Sequence, residues 1–143
     1  MTFTVTSGAL GITVPATADL GSGAPGTAIV HLLGTVTVTD DRAALSASWT
    51  ASASSSDYLT GDGTTAETIP AADLDYAPGT VTKTGTITTT THNITMSGSG
   101  QAVVAGSAGI GDNSAAWDPT ITVHVPASAV TGSYTGTITH SVV

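Results

Sequence analysis

Ten carboxylates share this chain with only two permanent cations, Arg42 and Lys83. The sole arginine closes the run Val36-Thr37-Val38-Thr39-Asp40-Asp41-Arg42. A guanidinium is a planar fork of donors that matches a carboxylate, so this corner can do one of two things. It can clamp the chain through Asp40 or Asp41, or it can take a carboxylate from a ligand. The clamp is the expected state, because pairing with adjacent acids is the commoner fate of an arginine. Trp49 completes that corner. It alternates with Leu45, Ala47 and Ala51, which places it on a buried strand face.

A second, looser group surrounds the other tryptophan. Trp117 follows a glycine-rich stretch, Gly106 to Ser114, that reads as a flexible loop, and it precedes Asp118-Pro119. An indole at a sandwich rim can stack on a sugar or a neighbouring chain; closing a loop over the core is the competing reading. Tyr134 and His140 share strand parity near the end of the sequence. Trp117, Asp118, Tyr134 and His140 are thus the candidate binding residues.

Other chemistry has little to work with. There is no Gly-x-Ser-x-Gly, His-Glu-x-x-His or phosphate loop, and the only glutamate is Glu67. Asp73 and Asp75 lie two apart on one strand, without signs of a cleft for an acid pair. His31, His92, His124 and His140 have no metal-ligand spacing, so no metal site is expected from them. Calcium has donor sets in Asp57 with Asp62, or Asp112 with Asn113 and Asp118, although solvated loop acids are the expected state. No cofactor is expected. An amide cross-link from Lys83 to Asn93 or Asn113 would need that lysine to be buried.

The elements that must position these residues are strands. The chain has 143 residues, of which 40% are hydrophobic and 29 are threonine. That length suits one domain with one core, and threonine favours strands. Period-2 runs recur from Phe3-Val5 and Leu10-Ile12-Val14 through Ile29–Thr39, Leu45–Ala53, Val81–Thr91, Ile94–Met96, Val103–Val104 and Ile121–Val125 to Tyr134–Val142. Proline ends three of them, in Val14-Pro15, Ile69-Pro70 and Val125-Pro126, because it lacks the N–H that a ladder needs. No window carries helical periodicity. The fold predicted is a single antiparallel β-sandwich over residues 1–143, with about nine strands, Greek-key or Ig-like connections and no significant helix.

The net charge of −8 excludes the row of phosphate contacts that nucleic acid requires, and it disfavours anionic lipid. No apolar run is long enough to span a membrane. Cysteine is absent, which rules out disulfides and thiolate metal sites but not secretion. No signal peptide precedes the first strand pattern. The Thr/Ser/Gly-rich, lysine-poor composition favours a mature secreted domain.

Several segments resemble the WxL-domain family of Gram-positive surface proteins. These are Leu10-Gly11-Ile12-Thr13-Val14-Pro15, Val36 to Arg42 with Trp49, Trp117-Asp118-Pro119-Thr120-Ile121, Val125-Pro126 and Gly132-Ser133-Tyr134-Thr135-Gly136-Thr137. The two Trp-x-Leu motifs read Trp49-Thr50-Ala51 and His140-Ser141-Val142 here. The resemblance implies a secreted, non-enzymatic β-sandwich at the cell surface, held non-covalently to peptidoglycan or another surface protein. A structural subunit of an extracellular filament or virion is the alternative. Its basis is the apolar N-terminal strand and the low charge, at 8% of residues, which suit β-strand addition between copies.

Overall fold

Alternating Thr, Ser, Val and Ala give this chain one apolar and one hydroxyl-bearing face per strand, and two sheets close on the apolar faces. The computed structural model describes residues 1–143, the whole chain. Its strands are β1 (Leu10–Thr13), β2 (Ala28–Leu32), β3 (Val36–Asp40), β4 (Leu45–Ser55), β5 (Tyr58–Leu59), β6 (Thr68–Ile69), β7 (Leu74–Ala77), β8 (Thr82–Thr91), β9 (Ile94–Thr95), β10 (Gln101–Trp117), β11 (Thr120–His124) and β12 (Ile138–Val142). Only two 3-10 turns, Thr65–Glu67 and Ala71–Asp73, interrupt them. All pairings are antiparallel. The expected all-β sandwich is therefore the fold.

The axis of the large sheet is β10. One flank pairs with β8 from Val104 to Ala116. The other flank takes β4 along Gln101–Ile110 and β3 along Asn113–Trp117. Strands β3 and β4 thus lie end to end as one rank. Outside that rank, β1 pairs with β3 and β12 with β4. The small sheet has the order β2-β11-β7-β9. Between the sheets Val36, Val38, Trp49, Ala51, Leu74, Tyr76, Met96, Val103, Val104, Trp117 and Ile121 are all buried.

The join between β3 and β4 is strained and clamped. Ala43 and Ser46 have φ of 52° and 63°, a conformation that costs a non-glycine residue roughly 1 kcal/mol each. Arg42 spans them. Its Nε and Nη2 donate to the two oxygens of Asp40, both at 2.8 Å, and Nη2 also donates to the Ser48 carbonyl at 2.9 Å. Asp40 is buried, and this hydrogen bonding holds its carboxyl below the usual carboxylate range. Asp41 takes no part through its side chain. Its backbone pairs with Gly8 and Ala9 instead, which extends the contact with the segment before β1.

Several sequence expectations are corrected here. Residues 106–114 are not a loop but the middle of β10, where Ala, Gly and Ser hide the strand alternation. Gly106 is required there, because a Cβ would overlap the Trp49 indole. Register shifts on both flanks of β10 fall near Ala108 and Gly111, whose φ values are 53° and 67°. Leu45 faces solvent, since the turn of Ser46 reverses the parity that buries Trp49. The run Ile29–Thr39 breaks at Gly34, with φ of 105°, so β2 and β3 belong to different sheets. Residues Phe3 and Val5 form no strand. Lys83 is exposed on edge strand β8, which removes the buried setting a cross-link needs.

Replacing Arg42 by Met strands a buried carboxylate and is expected to cost about 3 kcal/mol in urea unfolding. The Asp40→Leu/Arg42→Met double variant should cost clearly less than the single one. Gly106→Ala should destabilise by about 1–3 kcal/mol through displacement of Trp49, with a change in tryptophan emission as a second readout.

Candidate functional site

The two sheets do not close along one side. β12 is the last strand on one flank of the large sheet, and β2 is the last strand of the small one. Between them lies a groove of about 880 Å³. Its walls come from Ile29 of β2, Val123 and Val125 at the end of β11, and Ile138 and His140 of β12. Tyr58, Ile69 and the segment 129–137 form one end. The strap Val14–Gly23 and Pro25, which carries the chain from one sheet to the other, forms the opposite wall. That strap is held loosely. Within it only Gly21 N–H has a hydrogen bond, to Asp19 at 2.9 Å, and Leu20 and Pro15 are its half-buried side chains. The proline at each strand exit, Pro15 and Pro126, turns the chain out of its ladder and so helps leave this side open.

The four candidate binding residues separate in space. Trp117 is not at a rim: it is 2% exposed, at the end of β10 in the core. Its indole N–H donates to the Tyr76 hydroxyl at 3.0 Å, and that hydroxyl lies 2.9 Å from His140 Nε2. Tyr76 is fully buried and its hydroxyl has no other acceptor, so its proton is satisfied when His140 presents an unprotonated Nε2. A polar chain thus runs from the core through Tyr76 to the groove wall. Asp118 lies elsewhere. Its Oδ1 accepts from Gly34 N–H at 2.9 Å and fixes the turn between β2 and β3. Tyr134 does line the groove, half-buried, with its hydroxyl donating to the Val130 carbonyl at 2.8 Å.

The groove therefore joins Tyr134 and His140, reaches Trp117 indirectly, and omits Asp118. The sequence reading missed Tyr76, Tyr58 and the whole strap. Tyr76 had a signal in the alternation Leu74-Asp75-Tyr76. The strap had none beyond its Pro and Gly content.

Electrostatically the groove is nearly neutral, since Asp19 is its only carboxylate and His140 its only base. Burial lowers the pKa of His140, so the neutral ring that accepts from Tyr76 is also the favoured state. Burial likewise raises the pKa values of Tyr76 and Tyr58, which keeps both as phenols. Several other acids are engaged elsewhere. Asp57 caps Ala71 N–H at 2.8 Å, and Glu67 closes a capping box with Thr64. Asp75 bonds His124 at 2.8 Å on the outer face, and that contact lowers its pKa. The proposed calcium donors do not converge. Asp112 shares a shallow hydroxyl-lined hollow with Asp41, while Asp118 is committed to Gly34. No three His, Cys, Asp or Glu side chains meet anywhere in the chain.

A pH dependence follows from His140. An unfolded histidine takes its proton near pH ~6.5, whereas buried His140 takes it at lower pH. Between those values the unfolded chain binds more protons, so stability is full above the window and falls as the pH drops through it. Urea unfolding of the native protein should lose stability from pH ~6.5 downward, above the range where Asp40 and Asp75 titrate. His140→Gln, which can still accept from Tyr76, should remove that slope; an unchanged slope would show that another group causes it. Comparison of the chain with protein-family models, with curated proteins and with solved structures finds no match.

Proposed function

We propose that this is a non-enzymatic, secreted cell-surface domain whose groove holds an extended segment of another protein. The WxL resemblance supports the location. The groove supports the mode of binding, and it is the observation that carries the reading. It lies between two strands, β12 and β2, each paired on one side only. An extended chain laid there gains backbone hydrogen bonds from a free edge and apolar contact from Ile29, Val125 and Ile138. The near-neutral lining suits an uncharged occupant, because nothing offsets the desolvation of a charged one.

Wall glycan is the less favoured partner on physical grounds. Binding of sugar rings commonly uses an exposed aromatic face. Trp49, Trp117 and Tyr76 are buried, Tyr58 and Tyr134 half-buried, and Phe3, outside the groove, is the one exposed Phe, Tyr or Trp ring. Attachment to the cell surface through a second protein fits this distribution better than direct attachment to peptidoglycan.

Titration of isotope-labelled protein separates the two partners. Short peptides that alternate Val and Thr should produce saturable shifts at Val125, Ile138 and His140, and soluble peptidoglycan fragments should not. Saturable shifts with the fragments, or none at these residues with any peptide, would overturn the proposal.

A further inference from the structure

The one base in the groove is tied to the core. His140 lies in the middle of β12, half-buried, with its ring on the groove wall. Its Nε2 is 2.9 Å from the Tyr76 hydroxyl, and the two rings tilt against each other with centroids 5.6 Å apart. That hydroxyl also accepts from the Trp117 indole at 3.0 Å, and Tyr76 is fully buried. A proton added at Nε2 turns the one acceptor for the phenol hydrogen into a donor. The hydrogen is then buried without a partner, and the polar chain between the two sheets breaks at its groove end.

No neighbouring group offsets the charge of an imidazolium at this place. Opposite His140, β4 offers Ala53 between Ser52 and Ser54, and β1, which lies against β12, runs Leu-Gly-Ile-Thr. None of these ionises. Strands β2, β6 and β11 bring only Ile29, Ile69, Val123 and Val125 to the groove. From β7 the facing group is Tyr76, which burial keeps as a phenol. Tyr58 and Tyr134 are the groove's other ionisable rings; burial keeps Tyr58 a phenol too, and Tyr134 gives its proton to the Val130 carbonyl. The strap carries the groove's one carboxylate, Asp19, which accepts from Gly21 N–H and forms no ion pair with His140.

We infer that His140 makes the groove acid-sensitive: protonation of its imidazole releases the extended segment that the groove holds. The inference rests on the groove reading above and adds the regulation of that site. An occupant laid along β12 covers the half of the ring that still meets water. The bound form therefore resists protonation more strongly than the free form does. Burial already lowers the pKa of His140 in the free protein, and the occupant lowers it further. Between the two values the free protein carries more protons than the bound one, so affinity falls as the pH falls. Above both values affinity is independent of pH. One proton limits the slope to about tenfold in Kd per pH unit. The groove thus keeps its partner in neutral surroundings and gives it up in acidic ones.

Calorimetric titration of the full-length protein with a peptide that alternates Val and Thr tests this, from pH ~7.5 down to ~5, across the ordinary histidine range. Circular dichroism confirms the fold at each pH. The native Kd should be constant at the upper end and rise toward the acidic end, by up to about tenfold per unit. His140→Gln keeps an acceptor for Tyr76 and loses the titration, so its Kd should not vary with pH. Asp19→Asn should keep the native pH dependence. Proton resonances of the histidine rings supply the reciprocal measurement. Saturating peptide should lower the pKa of His140 and leave that of His92, outside the groove, where it was. A peptide that binds the native protein equally at every pH overturns the acid release and leaves the groove reading intact. So does a His140→Gln protein that keeps the native pH dependence, or an Asp19→Asn protein that loses it. If the peptide binds at no pH, both fall.

Discussion

One ion pair determines how this chain is laid out. Asp40 and Arg42 sit where β3 gives way to β4, and both strands must stay in line along β10. The four residues between them turn through left-handed conformations at Ala43 and, just inside β4, at Ser46. Left alone, such a corner would send β4 away from β10. Arg42 prevents this by holding Asp40 on one side and the Ser48 carbonyl on the other. A buried carboxylate with a bidentate partner tolerates few other arrangements, so the pair fixes geometry more than it adds net stability.

The groove is a consequence of that layout. With β3 and β4 in one rank, β1 and β12 share the outer flank, and the sheet ends there. The small sheet ends at β2 on the same side of the sandwich. The strap Val14–Gly23 bridges the two edges without pairing to either one. What holds the groove wall in place is the hydrogen-bonded chain from Trp117 through Tyr76 to His140. It runs from the large sheet into the small one and back, which fixes the spacing of the two layers at the open side. The cost is a histidine that must stay neutral, and the groove therefore carries a pH dependence within the fold.

How much of this was legible depended on side-chain contrast. Strand parity placed Trp49 inside, because Ser and Ala alternate cleanly around it. The corner was legible because acids and the one arginine are neighbours in sequence, although the choice of Asp40 over Asp41 needed the register. β10 was illegible. Its centre, Gly106 to Ser114, consists mostly of residues too small to show a period, and its glycines are there to admit the Trp49 ring and the bulges rather than to form a loop. Trp117 was displaced to a rim for the same reason. The groove could not be read at all, since it assembles segments near residues 14–25, 29, 58, 123–125 and 129–140. The segment Met1–Ser7 was legible as a strand pattern, yet it pairs with no strand.

Together these features describe a domain with an unfinished part, a sheet edge beside an apolar groove. The most direct test of what the groove does is a filtered nuclear Overhauser experiment on isotope-labelled protein with an unlabelled peptide that alternates Val and Thr, which reports only contacts between the two. The account predicts contacts from the peptide's valine methyls to Val125, Ile138 and His140. A bound peptide whose contacts all lie elsewhere would contradict it.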